Sequence, residues 1–192
     1  MDPINIIIGI NILATFGANI SGAKQGLKSS ITQVKEKPKT YLQQLPTTLA
    51  TVSLILLIIS LFQIGTLPYH ENNFVLRLTG LAFYLIFSWI QIWSYKSLGT
   101  NYSQDVVILQ KHQLVTKGIY SVVRHPHYLS QIIIELSVAA ATLSYLVAPL
   151  AIAQIPFLYL RAKREEQLLQ KHFKQDFEVY KKKTGFFIPF LG

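Results

Sequence analysis

The chain has 192 residues, 51% apolar side chains, only 14% charged ones and a mean hydropathy of +0.34, whereas about a quarter of a soluble domain is charged. This excludes an ordinary soluble domain and indicates one membrane domain spanning 1–192. There is no cysteine, which excludes disulfides and thiolate chemistry, and the placement of the +9 net charge, traced below, argues against nucleic acid.

In chain order, the first apolar stretch is Ile4–Ile20. As a helix it is about 26 Å long, close to the ~30 Å hydrocarbon thickness. Asp2 precedes it and no basic residue does, so it reads as a span and not a secretory signal. Thr48–Leu67 and Phe74–Tyr95 are the second and third spans. In the third, Phe83, Tyr84, Phe87, Trp89 and Trp93 read as packing and interface belt. Next come two β-prone runs, Val106–Leu109 and Leu114–Thr116, flanking a polar Gln-Lys-His-Gln turn, which predicts a small hairpin or extended loop. The apolar run Tyr128–Leu160 is too long for one span. Pro149, beside Ser144-Tyr145, divides it into a helical hairpin, 128–144 and 148–160. An amphipathic helix follows, 161–183, then an aromatic tail suited to the headgroup boundary.

The predicted fold is therefore all-α and integral to the membrane. It has five transmembrane helices, about 4–20, 48–67, 74–95, 128–144 and 148–160, the last two forming a hairpin. Of the 18 Lys and Arg residues, 17 follow spans one, three and five, and Arg77 alone lies on the opposite side. The positive-inside rule then puts the N-terminus outside and the C-terminus in the cytoplasm. The basic excess is accounted for by this topology and by anionic lipid. The outer loops are short, so chemistry belongs to the cytoplasmic face, in a pocket built from loop 96–127 and the C-terminal helix.

The segment Gly118–Tyr128 is the richest in polar rings, ending Arg124-His125-Pro126-His127-Tyr128. Pro126 disfavours helix at His125 and suits the first turn of the next helix, so the segment caps span four. Free N–H groups at that helix end favour an anion. Arg161 and Glu165 are four apart and share a helix face, where they read as an ion pair, with Glu166 pointing about 100° away. Glu135, two turns into span four, is a buried carboxylate that is functional or is hydrogen-bonded to a neighbour. His125 and His127 lack further ligands at recognised spacing, so no metal is expected.

These residues carry a resemblance. Leu114-Val115-Thr116-Lys117-Gly118-Ile119-Tyr120, Arg124-His125-Pro126-His127-Tyr128, Arg161-x-x-x-Glu165-Glu166-x-x-Leu169, Tyr180 and Ile188-Pro189-Phe190 resemble the isoprenylcysteine carboxyl methyltransferase family, as does the upstream Leu98-Gly99-x-Asn101-Tyr102-Ser103. The resemblance implies an S-adenosylmethionine-dependent methyltransferase. Its cofactor would contact His112, Gln113, Leu114, Val115, Tyr120, His125, Pro126, His127, Tyr128 and Glu165, and Arg161 would bind the substrate carboxylate, with Arg161 and Glu165 as catalytic residues. The acceptor implied is a lipid or prenylated molecule or peptide, in the prokaryotic plasma membrane or the endoplasmic reticulum, with the enzyme a monomer or homodimer. Related phospholipid (ethanolamine) N-methyltransferases and NADPH-dependent sterol reductases carry similar versions of the Arg-His-Pro-x-Tyr motif and are the alternatives. Many relatives have Gly where this chain has Ser130, which bears on substrate class. A carboxylate is ionised above about pH 5 and needs no general base to attack a methyl sulfonium, whereas an amine acceptor would need one, such as Glu165, Glu135 or His127.

Overall fold

Asp2 starts the fold. Its Oδ1 accepts from the N–H groups of Ile4 and Asn5, at 3.0 and 3.2 Å, satisfying two of the free donors at the head of the first helix. The same carboxylate grips the guanidinium of Arg77 at 2.6 and 2.9 Å, and Arg77 Nε donates to Ala141 O at 2.8 Å. The one basic residue expected on the outer side is thus buried, paired and tied to two other helices.

The computed structural model describes residues 2–32 and 34–191. Its elements are α1 (Pro3–Thr32), β1 (Val34–Glu36), α2 (Leu45–Leu61), α3 (Phe74–Leu98), β2 (Ile108–Leu109), α4 (Pro126–Thr142), α5 (Val147–Phe173) and α6 (Gln175–Lys183), joined by short 3-10 turns. Three helical segments, Pro3–Ser29, Tyr41–Leu61 and Glu71–Asn101, are long and apolar enough to cross a membrane.

The first helix runs a dozen residues beyond the predicted 4–20: no proline interrupts Ser21–Thr32, and the helix carries through Gly22 and Gly26. This carries α1 past the level of Tyr95, whose hydroxyl donates to Ala18 O at 2.6 Å. The predicted α4–α5 hairpin is present, with its turn before Pro149. Leu143 adopts the left-handed conformation (φ 54°) that ends α4, and Pro149 falls within the first turn of α5, where its missing N–H costs nothing. The predicted single helix over 161–183 is broken at Lys174 (φ 48°), which separates α5 from α6.

The second β run, Leu114–Thr116, forms no strand. The partner of Ile108–Leu109 is Val34–Glu36, antiparallel, from the connection between α1 and α2. Periodicity in 106–116 could not reveal a partner some 70 residues earlier.

The core lies between α1, α2, α3, α4 and the start of α5, around Ile8, Leu57, Leu81, Tyr84, Val138 and Val147. The closest helix contact is between α3 and α4 at Gly80, where a Cβ would stand 2.7 Å from Ser137 O and 2.8 Å from Ala141 N. Both neighbours are backbone and cannot yield without parting the helices. Gly80→Leu is therefore expected to cost roughly 1–3 kcal/mol or more through overpacking, read as a lowered thermal midpoint in detergent. An unchanged midpoint would contradict this packing.

Candidate active site

The connection between α3 and α4, the head of α2, and parts of α4, α5 and α6 enclose a cavity of about 240 Å³. The α4 side is built by the Arg-His-Pro-His-Tyr motif. Gly118 takes a left-handed turn (φ 63°) into the 3-10 turn Gly118–Ser121. Pro126 then opens α4 with His125 as its non-helical cap residue (φ −125°, ψ 56°). The segment is locked from behind by the C-terminal tail, with Arg124 N donating to Gly185 O at 2.8 Å and Gly185 N to Val122 O at 3.1 Å.

The charged lock in this wall is Glu166, the acid expected to point away. Its Oε1 accepts from Arg124 Nε at 2.6 Å and lies 3.3 Å from His125 Nε2. Arg124 also donates to the carbonyls of Lys181 and Thr184. Burial opposes ionisation of Glu166, but the hydrogen bonds from His125 and Arg124 prevail and hold its carboxyl at about 2. The register is legible in hindsight: Glu166 follows Glu165, so one of the two had to face the motif.

The i, i+4 ion pair expected between Arg161 and Glu165 does not form. Arg161 is 4% exposed and spends its Nη donors on main-chain carbonyls: Leu42 O and Gln43 O, each at 3.2 Å, and Gln104 O. Its Nε has no partner, and the guanidinium lies 5.9 Å from the centre of the Tyr128 ring. Glu165 Oε2 instead accepts from Tyr128 OH at 2.8 Å. Among the described residues Glu165 joins no ion pair.

The opposite wall is held by Gln43, whose amide pairs with Val106 in both directions, Nε2 to O at 3.0 Å and N to Oε1 at 2.8 Å. A side chain here does the work of a neighbouring strand. His112 turns back so that its Nδ1 accepts from Leu109 N at 3.3 Å. Burial lowers the His112 pKa, against the raising effect of Glu165. Tyr180 OH donates to Tyr120 O at 2.6 Å, fastening α6 to the motif segment. Burial pushes the Tyr102 hydroxyl up to about 12.

Of the sequence-predicted residues, His112, Gln113, Leu114, Val115, Tyr120, His125, His127, Tyr128, Arg161 and Glu165 all line this cavity. Pro126 is buried in the first turn of α4 and serves the backbone. Sequence reasoning missed Gln43, Gln131 and Gln154, which come from the connection between α1 and α2, from α4 and from α5. The only signal for them was uncharged amides in otherwise apolar stretches. The lining combines apolar residues, among them Pro46, Ala50, Leu158, Leu168 and Leu169, with polar and charged ones, among them His112, His127, Arg161 and Glu165. A ligand with both polar and apolar parts fits that lining.

Residues 80–171 match the model of the isoprenylcysteine carboxyl methyltransferase (ICMT) family. No curated protein matches the chain. Among solved structures it is similar to the eukaryotic intramembrane Ras methyltransferase ICMT (isoprenylcysteine carboxyl methyltransferase), solved without a monobody. That alignment has a TM-score of 0.63 and 23% identity and covers 100% of this chain and 69% of the other. The likeness is one of fold.

The folded Glu166 carboxyl titrates well below its ordinary 4.5. Its contribution to stability is therefore present above about pH 4.5 and lost as pH falls toward 2. Glu166→Gln, which leaves Arg124 without its counter-charge, is expected to cost roughly 3–5 kcal/mol and to flatten the acid arm of a denaturation profile. Wild-type stability of this variant at neutral pH would contradict the lock.

Proposed function

We propose that this chain, a member of the isoprenylcysteine carboxyl methyltransferase family by its residues 80–171, transfers a methyl group from S-adenosylmethionine to the carboxylate of a lipid-linked, prenylated acceptor at the cytoplasmic membrane face. The observation that carries this reading is the Arg161–Glu165 wall. It offers a carboxylate with no cationic partner among the described residues and an arginine beside it, in a cavity with both charged and apolar lining.

The residues present fit the cofactor. Glu165 suits the ammonium group of the donor's amino acid portion, with Tyr128 OH fixing the carboxylate's orientation. His112–Val115 and Tyr120 provide backbone and ring surface for the nucleoside portion. The head of α4, with its free N–H groups, suits the donor's carboxylate. When bound, S-adenosylmethionine supplies an electrophilic methyl group on a sulfonium.

The acceptor carboxylate is ionised at neutral pH, so the site needs no base. What the residues contribute is alignment and exclusion of water. Arg161 holds the walls with its Nη atoms and retains Nε–H, together with its charge, for the carboxylate. The apolar lining, Pro46, Ala50 and Leu158 among it, suits the prenyl chain. In this reading α1–α5 each cross the membrane, with the N-terminus outside and the C-terminus cytoplasmic.

Two measurements test it. Incubation with methyl-labelled S-adenosylmethionine and a farnesylated cysteine derivative is expected to yield a base-labile methyl ester. Label recovered only as a base-stable product, or none, would overturn carboxyl transfer. Glu165→Gln removes the charge facing the ammonium and is expected to weaken S-adenosylmethionine binding by about tenfold or more, measured by calorimetry. Unchanged affinity would remove Glu165 from the cofactor site.

A further inference from the structure

The helical bundle has a second cavity, of about 270 Å³, at the end away from the Arg-His-Pro-His-Tyr motif. The head of α4 lines the first cavity. Its last residue, Thr142, lines the second, about 24 Å further along the helix. The remaining walls come from the start of α1, the start of α3 and the connection between α2 and α3. The two cavities share no lining residue.

The polar groups here are buried and held in place. Arg77 is 4% exposed and pairs with Asp2, so the cavity holds both signs of charge and no net charge. A guanidinium carries five N–H groups. Arg77 spends Nε–H on Ala141 O and one N–H of each Nη atom on Asp2. One N–H on each Nη is left without an acceptor among the described residues. The Tyr69 ring, 5.0 Å away, covers one face of the guanidinium.

Asn5 supplies the complementary group. It is 3% exposed and lines the same cavity. Its Nδ2 donates to Leu61 O at 3.1 Å, which turns Oδ1 away from that carbonyl, and Oδ1 has no donor. A buried acceptor left unpaired is costly, and a ligand with an N–H group removes that cost.

The surroundings decide which ligand. Helices α2 and α4 both end here, at Leu61 and Thr142, and helix C-termini favour a cation. Arg77 opposes a cation on its own, and Asp2 opposes an anion on its own. A group carrying both an ammonium and an oxyanion suits the pair: the ammonium donates to Asn5 Oδ1 beside Asp2, and the oxyanion accepts from the two remaining N–H groups of Arg77. The ammonium has to bear N–H, because a quaternary one would leave Asn5 Oδ1 unpaired. The volume is below the ~300–1,000 Å³ of sites that enclose a whole small molecule, so a head group fits and the rest of the ligand stays outside. Next to the cavity, α1 and α3 keep Ile6, Ile7, Ile10, Val75 and Leu76 uncovered, apolar surface that acyl chains would cover.

We propose that this second cavity binds the phosphoethanolamine head group of a phospholipid, in the leaflet opposite the first cavity. The lipid is held there and not consumed, and the site does not depend on methyl transfer.

The test titrates the purified, delipidated chain in detergent with phosphatidylethanolamine, its N,N-dimethyl derivative or phosphatidylcholine, all with the same acyl chains. Bound lipid is counted by native mass spectrometry, with thermal midpoints measured alongside. The wild type is expected to bind phosphatidylethanolamine about tenfold more tightly than phosphatidylcholine, and the dimethyl lipid, which keeps one N–H, to bind more tightly than phosphatidylcholine. Asn5→Leu should bring the ratio toward one, and Asn5→Asp, which keeps an acceptor at that position, should retain it. Midpoints without added lipid identify a variant that fails to fold, and the three-lipid series on wild type decides in that case. Equal binding of phosphatidylethanolamine and phosphatidylcholine by wild type, or a tenfold ratio that persists in folded Asn5→Leu, would overturn the proposal. Soluble glycerophosphoethanolamine is expected to bind at least about tenfold more weakly than the lipid, since it has no chains to cover apolar surface. Equal affinity for it would overturn the assignment to a lipid.

Discussion

The guanidinium of Arg161 is the contact on which the cavity depends. It reaches from α5 to carbonyls in the connection between α1 and α2, at Leu42 and Gln43, and in that between α3 and α4, at Gln104. Burying a cation is costly unless its donors find acceptors, and here main-chain carbonyls take both Nη groups while Nε remains without a partner. The same interaction thus solves the problem of burying the charge and fixes two irregular segments over the end of the helical bundle. Gln43 adds to it by pairing with Val106, which sets β2 in register beside β1.

The second constraint acts from the other side. Glu166 joins Arg124 and His125, and Arg124 in turn holds the carbonyls of Lys181 and Thr184. The C-terminal tail is thereby tied to the motif that opens α4. It passes Gly185, where a Cβ would fall 1.7 Å from Ile188 O, so the chain can turn there only with glycine. Arg161 and Glu166 divide the labour along α5: one secures the segments that precede α4, the other the segment that follows α6. Glu165, lying between them without an ion pair among the described residues, is left facing the cavity.

What could be read in the sequence depended on distance along the chain. The α4–α5 hairpin and the cap at His125-Pro126 follow from local rules for proline and apolar length, and the structure has both. The Arg161–Glu165 pair was also inferred from local spacing. It fails because Arg161 finds partners for both Nη groups 57 to 119 residues earlier. The role of Glu166 was missed for the same reason, since its partner Arg124 lies 42 residues away. The β1–β2 pairing and the Gln43 clamp depend on chain segments with no pattern of their own. Glu135 was singled out as a buried carboxylate, but its partners Gln131 and Gln154 carried no signal beyond being amides in apolar stretches, and the second comes from another helix.

Ultraviolet cross-linking of methyl-labelled S-adenosylmethionine to the purified chain, followed by peptide mapping, tests most directly whether this cavity is the cofactor site. The expected result is label confined to peptides from 98–128 and 161–180 and suppressed by excess S-adenosylhomocysteine. Label in α1 or α2 alone, or label that excess S-adenosylhomocysteine does not suppress, would contradict it.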